Sequence, residues 1–270
     1  MNTKITIGQY YPSGSAVHRL DPRVKMVGVI AFIIVLFLVN NPFGYLFTLV
    51  CLLAAVKASK VPFALLLRGL KGILSILIFT AILNVFFAPG NTVLFSFYKI
   101  RITQEGLVLA GQMALRLCLL IIGSSLLTLT TSPIQLTDAL EYLMKPLKKI
   151  GVPSHEIAMM MTIALRFIPT LMEEMEKIMK AQTARGADFD TGGIIKKAKG
   201  LIPLLVPLFI SSFRRADDLA QAMEARCYRG DINRTRMNEL KMKRPDYATA
   251  LILSVFAACV IAINIFFELL

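Results

Sequence analysis

The sequence predicts an all-α integral membrane protein: a helical membrane domain plus a cytoplasmic helical domain with two long amphipathic helices. Three observations carry that prediction. Hydrophobic residues make up 56% of the 270, mean hydropathy is +0.66, and 17 phenylalanines come without a tryptophan, a composition foreign to soluble globular chains. Apolar runs of spanning or near-spanning length lie toward both ends. Between them, a charged stretch keeps its apolar residues at helical spacing. The expected organisation is a membrane domain over residues 1–131 with about four spans, a cytoplasmic helical domain over 132–246, and a last span over 247–270.

A helix needs about 20 apolar residues to cross the hydrocarbon core, and about 17 is the usual minimum. Val27 to Val39 and Phe43 to Val56 are short, and Asn40-Asn41-Pro42 between them reads as a tight turn, so together they form a helical hairpin. Gly72 to Ala88, stopped by Pro89-Gly90, is a third span. Gly106 to Thr131 is a fourth, with Arg116 in its first half, and Tyr247 to Leu270 is the last.

Charge orients these spans. Lys4, Arg19, Arg23 and Lys25 precede the hairpin and Lys57, Lys60, Arg68 and Lys71 follow it, whereas only Lys99 and Arg101 lie between the third and fourth spans. Basic residues favour the cytoplasmic side, which puts the N-terminus in the cytoplasm and the C-terminus outside. The polar opening, Met1-Asn2-Thr3-Lys4, lacks the layout of a cleaved signal peptide. The same loop charge accounts for the net +13 without nucleic acid as a partner.

From Lys145 to Arg244 the chain carries 19 of its 30 basic residues. The first helix there starts at Ser132, with Pro133 next and Gln135 three residues on, and continues through Leu136, Leu140, Leu143 and Leu147 until Gly151 and Pro153 stop it. A second helix runs from Ser154 to Arg185, with Ile157, Met161, Ala164, Ile168, Leu171, Met175 and Ile178 on its apolar face. Glu173 with Lys177 and Glu176 with Lys180 are four-residue ion pairs on another face. After a flexible Thr191-Gly192-Gly193, a third helix rises from Ile194, bends at Pro203 and Pro207, and ends at Arg226. Ser212, Ala216 and Ala220, four apart, suit a close helix crossing. Leu201 to Ile210 is apolar enough to suggest a sixth span, but lysines and arginines flank it on both sides, which argues against crossing.

The second and third helices of this domain end on tripeptides of one type, Ala184-Arg185-Gly186 and Ala225-Arg226-Cys227, 41 residues apart. Each is preceded by an alanine three positions earlier, Ala181 and Ala222. One arginine at a helix C-terminus is accounted for by the dipole of its own helix. Two in parallel contexts suggest paired prongs, because arginine keeps its charge and presents a planar fork of donors to a partner's carboxylates and carbonyls.

Catalytic motifs are missing. The chain has no phosphate loop, no nucleophile elbow and no His-Glu-x-x-His, and its two histidines, His18 and His155, read as surface or cap residues. Cys51, Cys118 and Cys259 lie in apolar runs and Cys227 has no near partner, so neither a disulfide nor a metal site is expected. A channel or secondary transporter would need polar residues lining several spans, and only Arg116, Asn84 and a few hydroxyls are available. A membrane-embedded enzyme would need clustered His, Asp or Glu at the membrane face.

With the opening Gly14-Ser15-Ala16-Val17-His18-Arg19-Leu20-Asp21-Pro22-Arg23-Val24-Lys25 and both tripeptides, the chain resembles the transmembrane T component of energy-coupling factor transporters, the CbiQ-like family. The resemblance spans essentially the whole chain, and the opening looks more like the shared, vitamin-type group than the dedicated cobalt or nickel group. It implies that residues 132–246 are a cytoplasmic coupling domain with two long crossed amphipathic helices, and that Ala184, Arg185 and Gly186, with Ala225, Arg226 and Cys227, dock on two ATP-binding-cassette ATPase subunits. It further implies that ATP and Mg are bound by those partners, with no cofactor in this chain, and that a membrane S component binds the cargo. Cys227 departs from the glycine more usual at that position.

Overall fold

In the computed structural model, residues 10–87, 92–97, 100–187, 193–230 and 240–268 are described. The Pro89-Gly90 stop, the Thr191-Gly192 part of the linker, Lys4 and the final Leu269-Leu270 lie outside them.

Helix α1 (Pro22–Leu38) starts where the Asp21 carboxylate accepts the Arg23 amide at 2.8 Å. Pro22, with no amide to leave unpaired, takes the first helical position. After the Asn-Asn-Pro turn, α2 (Pro42–Ser59) runs to Lys60, which caps it in the left-handed conformation with φ 55°. Helix α3 (Phe63–Phe87) begins well before the run expected from Gly72, because Arg68 and Lys71 keep their charged heads exposed while the backbone continues helical.

Strands β1 (Val93–Phe97) and β2 (Ile100–Thr103) pair antiparallel between α3 and α4, with a register shift between Val93 and Phe95. The sequence reading foresaw no strand there. The branched and aromatic residues Val93, Phe95, Phe97, Ile100 and Ile102 supply the preference. Apart from this hairpin the described chain is all-α.

The β2 end hands directly to α4 (Gln104–Thr130), whose first turn is closed by Thr103 Oγ1 accepting the Gly106 amide at 3.2 Å. Helix α5 (Pro133–Met144) opens on a reciprocal cap, in which Ser132 Oγ accepts the Gln135 amide and Gln135 Oε1 accepts the Ser132 amide. Its continuation tightens into a 3-10 stretch over Lys145–Ile150, where Pro146 lacks the donor an α-helix needs. Gly151, at φ 90°, ends that stretch. Helices α6 (Ser154–Ala184), α7 (Ile194–Ala225) and α8 (Arg244–Glu268) complete the order.

Four helices, α2, α3, α4 and α8, are long and apolar enough to cross a membrane. The 17 residues of α1 rise about 25 Å, at the lower limit for a crossing. The apolar segment within α7 is not among the four.

The chain divides into two compact units, Met1–Ala139 with Asn238–Leu270, and Leu140–Met237. In the first, α1, α2, α4 and α8 share a core in which Leu36, Tyr45, Leu119 and Val260 are buried. Phe256 stacks between Phe32 and Phe47 at ring separations of 6.3 and 6.0 Å. Close approach is bought by glycine: a Cβ on Gly123 would stand 2.5 Å from the Phe32 ring.

Several polar groups of this unit are internally committed. Arg116 donates to Tyr45 Oη at 2.9 Å and to the Val39 carbonyl at 2.7 Å, so the one arginine of the fourth span holds the α1–α2 turn. Asn84 donates to the Thr80 carbonyl of its own helix, and Thr48, Ser124 and Thr130 each bond a carbonyl one turn back. His18 is buried, with Nδ1 against the Ser13 and Ser15 hydroxyls and Nε2 against the Tyr11 carbonyl, which corrects its reading as a surface residue. Asp246 Oδ1 accepts the Asp21 amide and Oδ2 the Lys243 amide, both at 2.7 Å, tying the start of α8 to the start of α1.

The second unit is built on α6 and α7. Glu174 of α6 accepts from the Ser211 hydroxyl and from Arg215 on α7, while Met159, near the start of α6, meets Tyr228 just past the end of α7. Rising residue numbers on one helix thus meet falling numbers on the other, and the pair runs antiparallel. Glu174 is the acidic residue of α6 that forms an ion pair here, in place of the expected Glu173 and Glu176. The half-buried line of α7 runs through Leu204, Leu208, Ser211, Arg215 and Leu219, whereas Ala216 and Ala220 of the anticipated small-residue stripe are exposed.

Candidate functional site: two capped helix ends

Both tripeptides close a helix with the same backbone geometry. At the first, Arg185 leaves α6 at φ −87° and ψ 8°, and Gly186 turns left-handed at φ 86°. The Gly186 amide donates to the Thr183 carbonyl at 2.9 Å and the Ala187 amide to the Gln182 carbonyl at 3.0 Å. That is the Schellman closure, in which two otherwise orphaned carbonyls of the last turn are satisfied.

The second end repeats it residue for residue. Arg226 sits at φ −91° and ψ 13°, and the Cys227 amide donates to Glu224 at 2.8 Å and the Tyr228 amide to Met223 at 3.0 Å. Cys227 itself is left-handed, at φ 55°. The cysteine therefore takes the conformation glycine takes at the first end, despite the Cβ that disfavours it. The departure in sequence leaves the shape of the helix end unchanged.

All six residues, Ala184, Arg185, Gly186, Ala225, Arg226 and Cys227, are exposed. Among the described residues neither arginine has a hydrogen-bond or ion-pair partner, so both guanidinium forks point to solvent with their donors available. Because α6 and α7 are antiparallel, the two arginines stand at opposite ends of the pair. Tyr228 lies against residues 155–159, and from there to Arg185 the helix rises about 40 Å.

A small polar chain behind the second end escaped the sequence reading. His155 Nδ1 lies 3.0 Å from Glu141 Oε1 on α5, and the Tyr228 hydroxyl lies 3.5 Å from His155 Nε2 and 3.1 Å from Met159 Sδ. His155 is only 14% exposed, half-buried rather than a surface cap. The signal was available, since a tyrosine follows the second tripeptide where alanine follows the first. On α6, the Ser211 hydroxyl above all, and then the Arg215 guanidinium, hold the Glu174 carboxyl below the usual carboxylate range against the opposing effect of burial.

Among the described residues no three His, Cys, Asp or Glu side chains gather where they could hold a metal ion, and all four cysteines are free.

The sequence matches the family of cobalt transport proteins, CbiQ, over residues 13–237. It is 59% identical over 248 residues to the energy-coupling factor transporter transmembrane protein EcfT of Clostridium kluyveri, covering 92% of each chain. The protein of the same name from Thermosediminibacter oceani is 55% identical over 245 residues, 91% of this chain and 92% of the relative. That from Acidaminococcus fermentans is 53% identical over 253 residues, 94% of each.

Proposed function

The chain belongs to the CbiQ/EcfT family and is a multi-pass transmembrane component of an energy-coupling factor transporter, and from that premise we propose that it couples ATPase motion to uptake of a vitamin. Two ATP-binding-cassette subunits bind ATP and Mg and carry out hydrolysis, each seating one capped helix end. A membrane S component binds the cargo. When the ATPases close, Arg185 and Arg226 are displaced relative to each other, and α6 and α7 carry the displacement to the membrane partner.

The observation that carries this reading is the pair of identically capped, unpartnered arginine ends at opposite ends of one antiparallel helix pair. A second observation supplies a surface for the membrane partner. On α7, Leu201, Leu205, Phe209 and Phe213 are 48–66% exposed, an apolar row on a helix that is not one of the candidate spans. Arg116, Asn84, Thr48, Ser124 and Thr130 bond within the protein, which takes those groups away from lining a channel.

Orientation follows the positive-inside rule with α1 counted as a crossing: five passes put the N-terminus in the cytoplasm and the C-terminus outside. Alkaline phosphatase fused after Leu270 is then active, and an inactive fusion would refute the five-pass topology.

Coexpression tests the whole. Affinity purification of the wild-type chain recovers both ATPases and an S component, and Arg185→Glu or Arg226→Glu each releases an ATPase and abolishes uptake. Full assembly and uptake in both glutamate variants would refute the docking role. Cargo class is read with radiolabelled water-soluble vitamins beside cobalt and nickel salts in proteoliposomes of the complex. The description of the matching family as cobalt transport makes the metal the competing result, and metal uptake alone would assign the chain to the dedicated group.

A further inference from the structure

The two helix ends share a cap but differ in what lies behind it. Past Gly186 comes Ala187, which has only a methyl to offer. Past Cys227 comes Tyr228, whose backbone amide completes the cap on Met223 while its half-buried ring reaches back across the antiparallel pair. Its hydroxyl meets two groups of α6, Met159 Sδ at 3.1 Å and His155 Nε2 at 3.5 Å, and His155 Nδ1 is in turn 3.0 Å from Glu141 Oε1 on α5.

The chemistry of this chain is directional. An ionised Glu141 only accepts, so Nδ1 carries a proton; in the neutral imidazole Nε2 is then a lone pair that can accept from the Tyr228 hydroxyl. If His155 is doubly protonated, Nε2–H donates to the phenol oxygen and the hydroxyl proton goes to Met159 Sδ. The tyrosine stays bonded in either form. A half-buried ring adds packing to the bonds, with two side-chain torsions to immobilise.

We propose that Tyr228 is a positioning residue for the second docking end: through His155 and Glu141 it fixes Arg226 to the start of α6 and to α5, so that this end moves as one body with them, whereas among the described residues no side chain past Gly186 ties the first end back in the same way. The inference rests on the docking role proposed above. It makes the two ends mechanically unequal although their caps match. The one that carries Cys227 is the stiff arm, and α5, which follows α4 after two residues, is the first element to receive its motion.

Two readouts test it: trypsin cleavage of the purified full-length chain, where no ATPase covers either end, and transport by the full complex. Trypsin cleavage after Arg226 reports how often the end opens, and Tyr228→Phe is expected to raise its rate about three- to tenfold, the range expected for one lost side-chain bond, with cleavage after Arg185 unchanged. Glu141→Gln raises it similarly, and Tyr228→Phe combined with Glu141→Gln is no faster than the worse single variant. In proteoliposomes, Tyr228→Phe keeps both ATPases bound and hydrolysing while cargo moved per ATP falls about threefold or more. Unchanged cleavage, or additive effects of the two substitutions, would overturn the tether. Faster cleavage with an unchanged cargo-to-ATP ratio would overturn the positioning role. Failure of the wild-type chain to recover any ATPase would instead overturn the docking role, and leaves the trypsin arm still decisive for the tether.

Discussion

Cys227 offers a measurement of what the shared cap costs. A side chain in the left-handed conformation costs roughly 1–2 kcal/mol relative to the ordinary helical one. Cys227→Gly removes that cost but adds about 0.5–1 kcal/mol of unfolded-state entropy, so the expected net gain is about 0.5–1 kcal/mol at the end of α7. The two bonds of the cap, Cys227 to Glu224 and Tyr228 to Met223, should then open about two- to fivefold less often. Amide hydrogen exchange of residues 224–228 in the purified protein reads this directly, and Cys227→Val, with a branched side chain in the same conformation, should shift it the other way. Equal exchange in the Cys, Gly and Val forms would refute the argument, because it would mean that φ at this position does not set the stability of the end. Glycine should also retain the bound ATPase, since the cap geometry that presents Arg226 is the one glycine prefers.

Gly123→Ala forces the Phe32 ring away from a contact of 2.5 Å and should lower stability by about 1–3 kcal/mol, visible as a lower thermal midpoint in detergent. Arg116→Leu leaves the Val39 carbonyl and the Tyr45 hydroxyl without their donor and should destabilise the α1–α2 turn by about 1–3 kcal/mol, while Tyr45→Phe, losing one bond, costs less. Since the Glu174 carboxyl titrates below its ordinary range, its contribution is fully present above that range and is lost as pH falls through its lowered value. Unfolding of wild type should therefore be insensitive to Glu174 between pH 8 and 6, and Glu174→Gln should flatten the acid limb of the stability profile.

The two helices that carry the capped ends were legible because their signals are local: α6 spans Ser154–Ala184, against an expected run from Ser154 to Arg185 stopped by Gly186, and α7 spans Ile194–Ala225, against an expected run from Ile194 to Arg226. The cap of α5 was equally plain from Ser132 and Gln135. What escaped the sequence depends on pairings across the fold. His18 carries the same letter whether it sits at the surface or among Ser13, Ser15 and Tyr11, and only the folded opening segment decides it. Glu174 rather than Glu173 or Glu176 pairs with α7, because the packing register of two helices is not written in the four-residue spacing of one. Hydropathy placed the start of α3 too late, since it scores Arg68 and Lys71 as ends when an exposed helix can carry both along its side. The Tyr228 to Glu141 chain joins residues 87 positions apart, a distance no local pattern reports.

Asp246 closes a loop of another kind. Its carboxylate receives the Asp21 amide across 225 residues of chain, and nearby Arg23 donates to the Leu240 carbonyl at 2.8 Å. On a ribosome that makes the chain from its N-terminus, the start of α1 waits for this acceptor until the whole Leu140–Met237 unit has been synthesised and α8 has begun to emerge. The bond thus works as a seal on biogenesis. A chain halted before residue 246 lacks the acceptor that holds the start of α1, and its first helix has no α8 to close against.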